Sequence, residues 1–277
     1  MTDNPRRLSE VCTVPKDALD RFHQHGFVVV PQLFDSEWIS EIRPAIYRVF
    51  ERNIPPQTED RKKTAYENAF IQIVNLGLRE QAVRQLTHSP VLGQFAAELL
   101  GVDGVRIFIE DLFFKEPKKG HTPWHQDATC LAMEPNHMIT AWVPLIPIHD
   151  NGRLRFIDRS HRLDIFGSED ISEETDDFFG SLITREQLEI VEQPVMMPGD
   201  VSFHSGNTIH GALPNRSNRI REAFAIHYFA DGARIQYEKN SAGERLVMHC
   251  APHLKIGDLA VSDAWPLVYS KSTRSKS

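Results

Sequence analysis

Residues 105–127 read VRIFIEDLFFKEPKKGHTPWHQD, and this stretch joins a long β-type run to a His-x-Asp motif. Aliphatic and aromatic side chains dominate its first ten positions, which is typical of a buried strand. Six more runs of this kind follow, separated by Gly, Pro, Asn and Asp: ITAWVPLIPI, RLRFID, VEQPVMM, DVSFHSG, IHGAL and REAFAIHYF. About seven strands at this spacing predict an antiparallel sandwich or barrel.

The part of the chain before this stretch has a helical pattern. Apolar residues recur every three or four positions from Trp38 to Val49, as on the buried face of a helix. A further helix is predicted to begin after Ser89, with Pro90 in its first turn, and to end at Gly101. Helices that precede a set of strands favour an α+β architecture, in which the helices flank a β core.

The composition is that of an ordinary globular enzyme. The chain has 277 residues, of which 41% are hydrophobic and 25% are charged, and barrels and sandwiches of this size often form one core. We therefore expect one domain over residues 1–277, divided into three parts. These are a helical part at about 15–101, a β core at about 105–230 and a C-terminal extension at 231–277.

Charge and hydropathy exclude several classes of partner. A net charge of −7 provides no broad basic surface, so we expect a small-molecule substrate and no nucleic acid. No apolar run has the length of a membrane span, and the first ten residues lack the apolar region of a signal peptide, so we expect a cytoplasmic protein without a membrane partner. Its three cysteines are far apart in sequence and are expected to be reduced. The oligomeric state is left open.

His125 and Asp127 are two positions apart, and residues with that spacing on a strand face the same side of a sheet. One metal ion could therefore meet both side chains. His210, at the start of a short β run, is the candidate third ligand. Two imidazoles and one carboxylate form the facial triad of non-haem Fe(II) oxygenases, which leaves adjacent coordination positions open. A 2-oxo acid and O2 can fill those positions.

Such an oxygenase also needs a cationic group for the far carboxylate of the 2-oxo acid. Arg221 follows His210 by eleven residues and opens the apolar run REAFAIHYF, and a guanidinium binds a carboxylate through two parallel hydrogen bonds. Arg219 lies in the turn PNRSNR and is the weaker candidate. Trp142, in the run ITAWVP, is a predicted wall of the same pocket.

The order of these motifs resembles that of the phytanoyl-CoA dioxygenase family over roughly residues 18–230. The similar features are HQD, Asn151-Gly152-x-Leu154-Arg155-Phe156, Ser160-His161, Pro198-Gly199-Asp200, and His-Gly with an arginine eleven residues after the histidine. The resemblance implies a double-stranded β-helix, a jelly-roll or cupin-like core, with flanking N-terminal helices. It also implies Fe(II), 2-oxoglutarate and O2, with release of succinate and CO2 as the substrate is oxidised.

By the same resemblance, His125, Asp127 and His210 bind iron, Arg221 binds 2-oxoglutarate and Trp142 lies beside it. Two features depart from the family pattern. Asp158-Arg159 stands where the family commonly has Pro-Gly, and Ala212 replaces a hydroxyl residue that can touch the co-substrate. These departures concern a turn and the detail of the co-substrate contacts, and they leave the four central positions intact.

Several other residues are candidates for the pocket itself. Gln126, between the two early ligands, is predicted to contact the co-substrate. Aromatic and amide side chains are common in substrate pockets, and the predicted substrate contacts are Tyr66, Phe70, Gln72, Asn75 and Met133.

His204 and His227 are interpreted as structural. Residues 164–184 are acidic between apolar ends, and we interpret them either as a solvated loop or as a lid over the site.

The predicted reaction is hydroxylation of a C–H bond in a small organic substrate, such as a natural-product intermediate in biosynthesis or an amino-acid derivative. Desaturation, epoxidation or rearrangement would use the same residues, so the sequence leaves the outcome open. Two other functions also remain open: a cupin-like metal-binding sensor without turnover, and a zinc-dependent cupin hydrolase or isomerase. A sensor would be expected to lack a metal ligand or the carboxylate anchor, and neither is missing.

Overall fold

Two antiparallel sheets form the β part of the molecule. The computed structural model describes residues 13–53, 65–168, 170–239 and 241–271. Its α-helices are α1 (Lys16–His25), α2 (Ser36–Asn53), α3 (Ala65–Ala69), α4 (Gln81–Thr87), α5 (Pro90–Leu100), α6 (Glu173–Glu186) and α7 (Ala242–Cys250). Its strands are β1 (Phe27–Val30), β2 (Ile71–Val74), β3 (Gly104–Lys115), β4 (Thr122–His125), β5 (Met133–Glu134), β6 (Met138–Pro144), β7 (Leu154–Ile157), β8 (Ile190–Glu192), β9 (Val201–Ser205), β10 (His210–Ala212), β11 (Arg221–Ala230), β12 (Arg234–Ile235) and β13 (Leu267–Ser270).

The larger sheet has the strand order β1-β9-β6-β11-β3-β13, and β2 also pairs with β3. The smaller sheet has the order β4-β10-β7-β8, while β5 and β12 form a separate pair. All seven β runs predicted from the sequence contain a strand of these sheets, and neighbouring strands are antiparallel. The prediction of a mixed helical and antiparallel β architecture is therefore confirmed.

Strands outside the predicted β core correct the expected three-part division. β1 and β2 lie within the part expected to be helical, and they pair with β9 and β3. β13 comes from the C-terminal extension and also pairs with β3. Each of these strands has only four residues, which is too short for a hydrophobic period to distinguish strand from helix. Their conformation depends on the partner strand that the fold provides.

Helix α5 shows how the helices cover the larger sheet. It begins after Ser89 and ends at Gly101, whose φ of 71° is the left-handed conformation that glycine adopts without strain. Both ends agree with the prediction. The helix buries Phe95, whose ring stacks on Phe203 of β9 with centroids 6.0 Å apart. This contact belongs to the main hydrophobic core between the helices and the sheet.

Strand β11 is buried along its whole length, and its two faces pack against different parts of the molecule. Phe224 and Ile226 belong to the core beneath the helices. Ala223 and Ala225 belong to a second cluster, to which strands of the smaller sheet also contribute. Because side chains alternate along a strand, the odd-numbered residues of β11 from Arg221 to His227 face the space between the two sheets, and that space contains the candidate site.

Candidate functional site

Two histidines from neighbouring strands meet at the centre of the site. His125 is the last residue of β4 and pairs directly with His210, the first residue of β10. Their ring centroids are 4.1 Å apart. The sequence prediction that His210 starts a short strand is confirmed, and the strand register explains why residues so distant in sequence become neighbours.

Asp127 reaches the same point by a route that the sequence did not predict. It was expected to lie on one strand with His125, but β4 ends at His125 and Asp127 begins a 3-10 turn. Gln126 between them keeps extended backbone angles, with φ −126° and ψ 131°. The alternation of side chains therefore continues through Gln126, and both flanking residues face the same side.

The ligand-type atoms of these three residues converge within 4.8 Å of one another. Asp127 Oδ1 lies 3.7 Å from His125 Nε2 and 3.6 Å from His210 Nε2. The three side chains are largely buried, so a cation bound between them would be shielded from bulk water. Two neutral imidazoles and one carboxylate are a donor set that fits a divalent iron ion and leaves part of its coordination sphere open.

Hydrogen bonds fix which nitrogen of each histidine faces the centre. His125 Nδ1 lies 2.8 Å from the Pro123 carbonyl, and His210 Nδ1 lies 3.0 Å from the Thr208 carbonyl. A carbonyl only accepts, so each Nδ1 carries the proton and donates it. Each Nε2 then presents its lone pair to the centre, as a histidine that ligates a metal must do.

Asp127 is oriented in a similar way, because its two oxygens have different partners. The Thr140 hydroxyl donates to Oδ2 at 2.6 Å, and His204 Nε2 donates to the same oxygen at 3.0 Å. Oδ1 is the oxygen that faces both histidine Nε2 atoms. The carboxylate is thus held with one oxygen satisfied by the protein and the other turned to the centre.

A second buried carboxylate extends this network along the cavity wall. His227 Nδ1 lies 2.8 Å from Thr140 Oγ1, and His227 Nε2 lies 3.1 Å from Asp111 Oδ2. Gln72 Nε2 donates to Asp111 Oδ1 at 2.8 Å. A chain of hydrogen bonds therefore runs from Gln72 through Asp111, His227 and Thr140 to Asp127.

Burial and neighbouring charges set the protonation of these groups. Burial lowers the pKa of His125 to about 3 and that of His210 to about 4, which keeps both imidazoles neutral and able to bind metal. Burial also acts to lower the pKa of His227, but Asp127 and Asp111 outweigh it and raise the pKa to about 10. Burial would raise the pKa of Asp127, yet the surrounding imidazoles hold it well below its usual range.

Arg221 occupies another part of the same cavity. It is the first residue of β11 and is 2% exposed. Its Nε has no hydrogen-bond partner, and a terminal nitrogen reaches only the Gly152 carbonyl at 3.5 Å. Within the described ranges no carboxylate forms an ion pair with it. Trp142 lies beneath the guanidinium at 5.4 Å, so these two predicted residues are neighbours.

A second basic side chain, Lys115, lies beside Arg221. Lys115 pairs with Arg221 across β3 and β11 and is fully buried. Its Nζ donates to the carbonyls of Gly120 and Leu213 at 2.8 and 3.2 Å. Burial, together with the charge of Arg221, lowers the pKa of Lys115 to about 6. An unpaired guanidinium in such surroundings fits an anionic ligand, because the ligand would provide the hydrogen bonds that the protein leaves unmade.

The empty space of the cavity is about 530 Å³, a volume that includes the part open to solvent. Tyr66 and Phe70, both predicted to contact substrate, line it together with Phe113. The rings of Tyr66 and Phe70 meet edge to face at 4.7 Å, and Phe70 meets Phe113 at 4.5 Å. These aromatic residues form an apolar side of the cavity, next to the polar chain that includes Asp111.

Four other predicted pocket residues, Gln126, Met133, Asn75 and Gln72, are not among the described residues that line the cavity. Gln126 points away from it and bonds to backbone atoms of two other segments. Met133 is buried in a separate cluster with Phe229 and Trp265. Asn75 accepts a hydrogen bond from the Glu110 backbone beyond the end of β2. Gln72, also predicted, contributes through its bond to Asp111. Gln126 and Met133 lie close in sequence to His125 and Asp127, and Gln72 and Asn75 have amide groups typical of pockets, but the sequence did not show the directions of these side chains.

Conversely, the structure adds residues that the sequence interpretation placed elsewhere. His204 and His227 were interpreted as structural, but both line the cavity and contact Asp127. Asp111 and Thr140 also line it. The available signal was weak: each of these polar residues lies in a strand next to an apolar residue, and a buried polar group needs a hydrogen-bond partner.

Residues 164–168 and 170–186, here called the cover segment, combine both interpretations made from the sequence. Much of the segment is the helix α6, whose N-cap is Ser172. Asp176 accepts a hydrogen bond from the Trp124 backbone at 2.8 Å and contacts His121 Nε2 at 2.8 Å. Ile171 lines the cavity. The segment is therefore exposed on one side and forms part of the cavity wall on the other.

These features define a class of protein, the non-haem iron oxygenases built on antiparallel β-sheets. The family model of phytanoyl-CoA dioxygenase (PhyH) matches residues 22–223. The chain belongs to this family. It is accordingly an oxidoreductase of the 2-oxoglutarate-dependent dioxygenases, which use iron, 2-oxoglutarate and O2.

The individual relatives described next share 21–24% sequence identity with this chain. A Phytanoyl-CoA dioxygenase domain-containing protein 1 homolog from Caenorhabditis briggsae is 24% identical, over 76% of this chain and 89% of that protein. The non-haem α-ketoglutarate-dependent carbocyclase SnoK from nogalamycin biosynthesis has a TM-score of 0.72 at 22% identity, over 94% of this chain and 99% of that one. EctD from S. alaskensis, solved with 2-oxoglutarate and 5-hydroxyectoine, has a TM-score of 0.68 at 21% identity, over 95% and 89%. At these identities the structures show a shared fold.

Among the residues described, no helix combines the length and apolar character that crossing a membrane requires.

Proposed function

We propose that this chain hydroxylates a C–H bond of a small organic substrate, with Fe(II) and 2-oxoglutarate held in the cavity between the two sheets. One observation carries the proposal: two neutral imidazoles and a carboxylate converge in the same cavity as an unpaired, buried guanidinium. We further infer that the two sheets form a double-stranded β-helix, in one oxygenase domain. Strand β11 supports this inference, because one of its faces packs under the helices and the other faces the smaller sheet.

His125, Asp127 and His210 would hold the iron. When bound there, Fe(II) activates O2, and 2-oxoglutarate supplies two electrons and leaves as succinate and CO2. The protein prepares the site before the metal arrives. Backbone carbonyls hold the two histidines with Nε2 inward, while Thr140 and His204 occupy the Asp127 oxygen that faces away. Such fixed ligands avoid the cost of ordering them during binding.

Arg221 would bind the distal carboxylate of 2-oxoglutarate, with Trp142 as the floor beneath the guanidinium. The buried location strengthens the interaction, since fewer water molecules compete for the charge. The co-substrate would then be fixed at both ends, by the metal ligands and by Arg221. Gly152 supports this arrangement, because its carbonyl contacts Arg221 and its φ of 105° is a conformation that other residues rarely adopt.

The organic substrate would lie against Tyr66, Phe70 and Phe113, with Ile171 of the cover segment on the outside. An apolar surface of this kind excludes water and holds the target carbon close to the metal. Asp111 offers a hydrogen-bond acceptor beside the aromatic side chains. The combination of aromatic side chains with a hydrogen-bond acceptor supports a natural-product intermediate or an amino-acid derivative as substrate.

Release of succinate from 2-oxoglutarate tests this function. The full chain, loaded anaerobically with Fe(II), should form a metal-to-ligand charge-transfer absorption with 2-oxoglutarate and release succinate when O2 is admitted. Candidate amino acids and aromatic natural products should accelerate that release and be recovered one oxygen atom heavier. Metal binding without succinate release under any condition would contradict the proposal and favour a metal-binding sensor. A requirement for Zn²⁺ without the absorption would favour a hydrolase or isomerase.

A further inference from the structure

Gln126 lies between two of the proposed metal ligands, but its side chain faces the other way. It is 2% exposed, and its extended backbone turns the amide away from the side that His125 and Asp127 share. Burying an amide costs free energy unless its hydrogen bonds are replaced. Its partners in the structure therefore show what the residue contributes.

The amide of Gln126 is bonded to two separate segments. Its Nε2 donates to the carbonyl of Asn207 at 2.8 Å and to the carbonyl of Ile165 at 3.1 Å. Its Oε1 accepts from the Gly167 backbone at 3.1 Å. Both amide hydrogens and one oxygen lone pair are thus used. No shorter or apolar side chain can replace these three contacts together.

Each bonded segment carries part of the cavity. Asn207 precedes His210 by three residues, so its position affects where that histidine enters the site. Ile165 and Gly167 begin the cover segment, whose Ile171 lines the cavity. The backbone of Gln126 continues directly into His125 and Asp127. The side chain of Gln126 therefore links three parts of the site: the backbone that carries His125 and Asp127, the loop before His210, and the cover segment.

We propose that Gln126 is a positioning residue that holds residues 206–209, here called the His210 loop, and the cover segment in register with His125 and Asp127. Loss of its amide would loosen both bonded segments and weaken divalent-metal binding, although Gln126 itself does not touch the metal position. The metal part of this inference rests on the proposed function. The link between the segments does not, since it follows from hydrogen bonds within the chain.

A matched control is available in the same fold. Gln193 is also buried, at 1% exposure, and its Oε1 accepts from the Leu154 backbone at 3.3 Å. Among the described residues, its side chain forms no hydrogen bond with the His210 loop or with the cover segment. Gln193→Met therefore removes a buried amide of the same size without affecting the proposed link. A change seen in both variants would reflect the loss of a core amide in general.

The experiment compares Gln126→Met and Gln193→Met in the full chain. Mn²⁺ affinity is measured by titration, and backbone hydrogen exchange is followed in peptides that span residues 164–168 and 205–211. We expect Gln126→Met to weaken Mn²⁺ binding by about tenfold, the lower end of what outer partners of metal ligands contribute, and to accelerate exchange in both peptides. Gln193→Met should leave both measurements at the wild-type values. Equal affinity and equal exchange in Gln126→Met and wild type would overturn the proposal.

Gln126→Glu provides a second variant with nearly the same shape. It keeps an acceptor for Gly167 but loses the two donors, so exchange should accelerate more in the 205–211 peptide than in the 164–168 peptide. This pattern distinguishes the link from general unfolding. If the wild-type protein itself binds no Mn²⁺, the proposed function is contradicted. The exchange data would then still decide whether Gln126 joins the segments.

Discussion

The metal-ligand end of the cavity and the Arg221 end differ in how their charges are satisfied. At the ligand end, Asp127 accepts hydrogen bonds from Thr140 and His204, and His227 lies between two carboxylates. At the other end, Arg221 has an unpartnered Nε and no acidic neighbour within ion-pair distance among the described residues. At the ligand end the buried charges are paired within the protein, whereas at the other end the described residues leave the positive charge of Arg221 unpaired.

This difference indicates how each end would bind its ligand. Prearranged hydrogen bonds at the ligand end orient side chains whose remaining lone pairs face one point, which suits a cation of fixed geometry. An unpaired guanidinium instead gains its hydrogen bonds only when an anion arrives. The two ends should therefore be separable by mutation: one set of changes should affect the metal, and the other should affect the 2-oxo acid.

The largest effect is expected from Asp127→Ala, which removes the anionic ligand. Loss of the bound metal removes several kcal/mol of catalytic stabilisation, so succinate release should fall by at least about a thousandfold. Asp177→Ala, an exposed change on α6, should retain wild-type release. Substantial activity in Asp127→Ala would mean that the metal binds elsewhere, and it would contradict the assignment of this end of the cavity as the metal site.

Arg221→Gln should show the next largest effect. Hydrogen bonds to charged groups contribute roughly 1.5–3 kcal/mol, so the KM for 2-oxoglutarate should rise by about 10- to 100-fold while Mn²⁺ affinity is retained. Steady-state kinetics and metal titration measure the two quantities independently. Arg219→Gln, which changes an exposed arginine two residues away, is the control and should leave the KM unaltered. An equal loss of metal affinity in Arg221→Gln would mean that the two ends are not separable.

Thr140→Val tests whether the hydrogen bonds at the ligand end orient Asp127. The variant keeps the side-chain shape but removes the hydroxyl that donates to Asp127 and contacts His227. Metal affinity should fall by about tenfold, with no change in the KM for 2-oxoglutarate at saturating metal. Thr184→Val, on the exposed side of α6, should bind metal as wild type does. Wild-type affinity in Thr140→Val would show that the hydroxyl does not orient the ligand.

The smallest effect is expected from Trp142→Leu. A cation–π contact at this distance contributes about 0.5–1 kcal/mol, so the KM for 2-oxoglutarate should rise roughly two- to fivefold. Metal affinity should stay constant, because the ring of Trp142 packs against Arg221 and, among the described residues, forms no hydrogen bond with the ligand residues. A variant with an unchanged KM would show that the ring packs against Arg221 without orienting it.

The sequence predicted the local parts of this site well. The β runs, the helix after Ser89 and the strand starts at His210 and Arg221 all depend on short patterns of residues, and the structure confirms them. The directions of Gln126 and Met133, and the roles of His204 and His227, could not be predicted in the same way. Each of these depends on which distant segment packs beside the residue.

The sequence by itself determined the chemical types of the proposed ligands and their approximate order, because side-chain chemistry and strand alternation are properties of neighbouring positions. Only the tertiary structure decided that His125 pairs with His210, that Thr140 and His204 share one oxygen of Asp127, and that Gln126 bonds to the cover segment. Those contacts follow from the register of antiparallel strands far apart in the chain. That register is set by the packing of the whole β core and not by any local pattern.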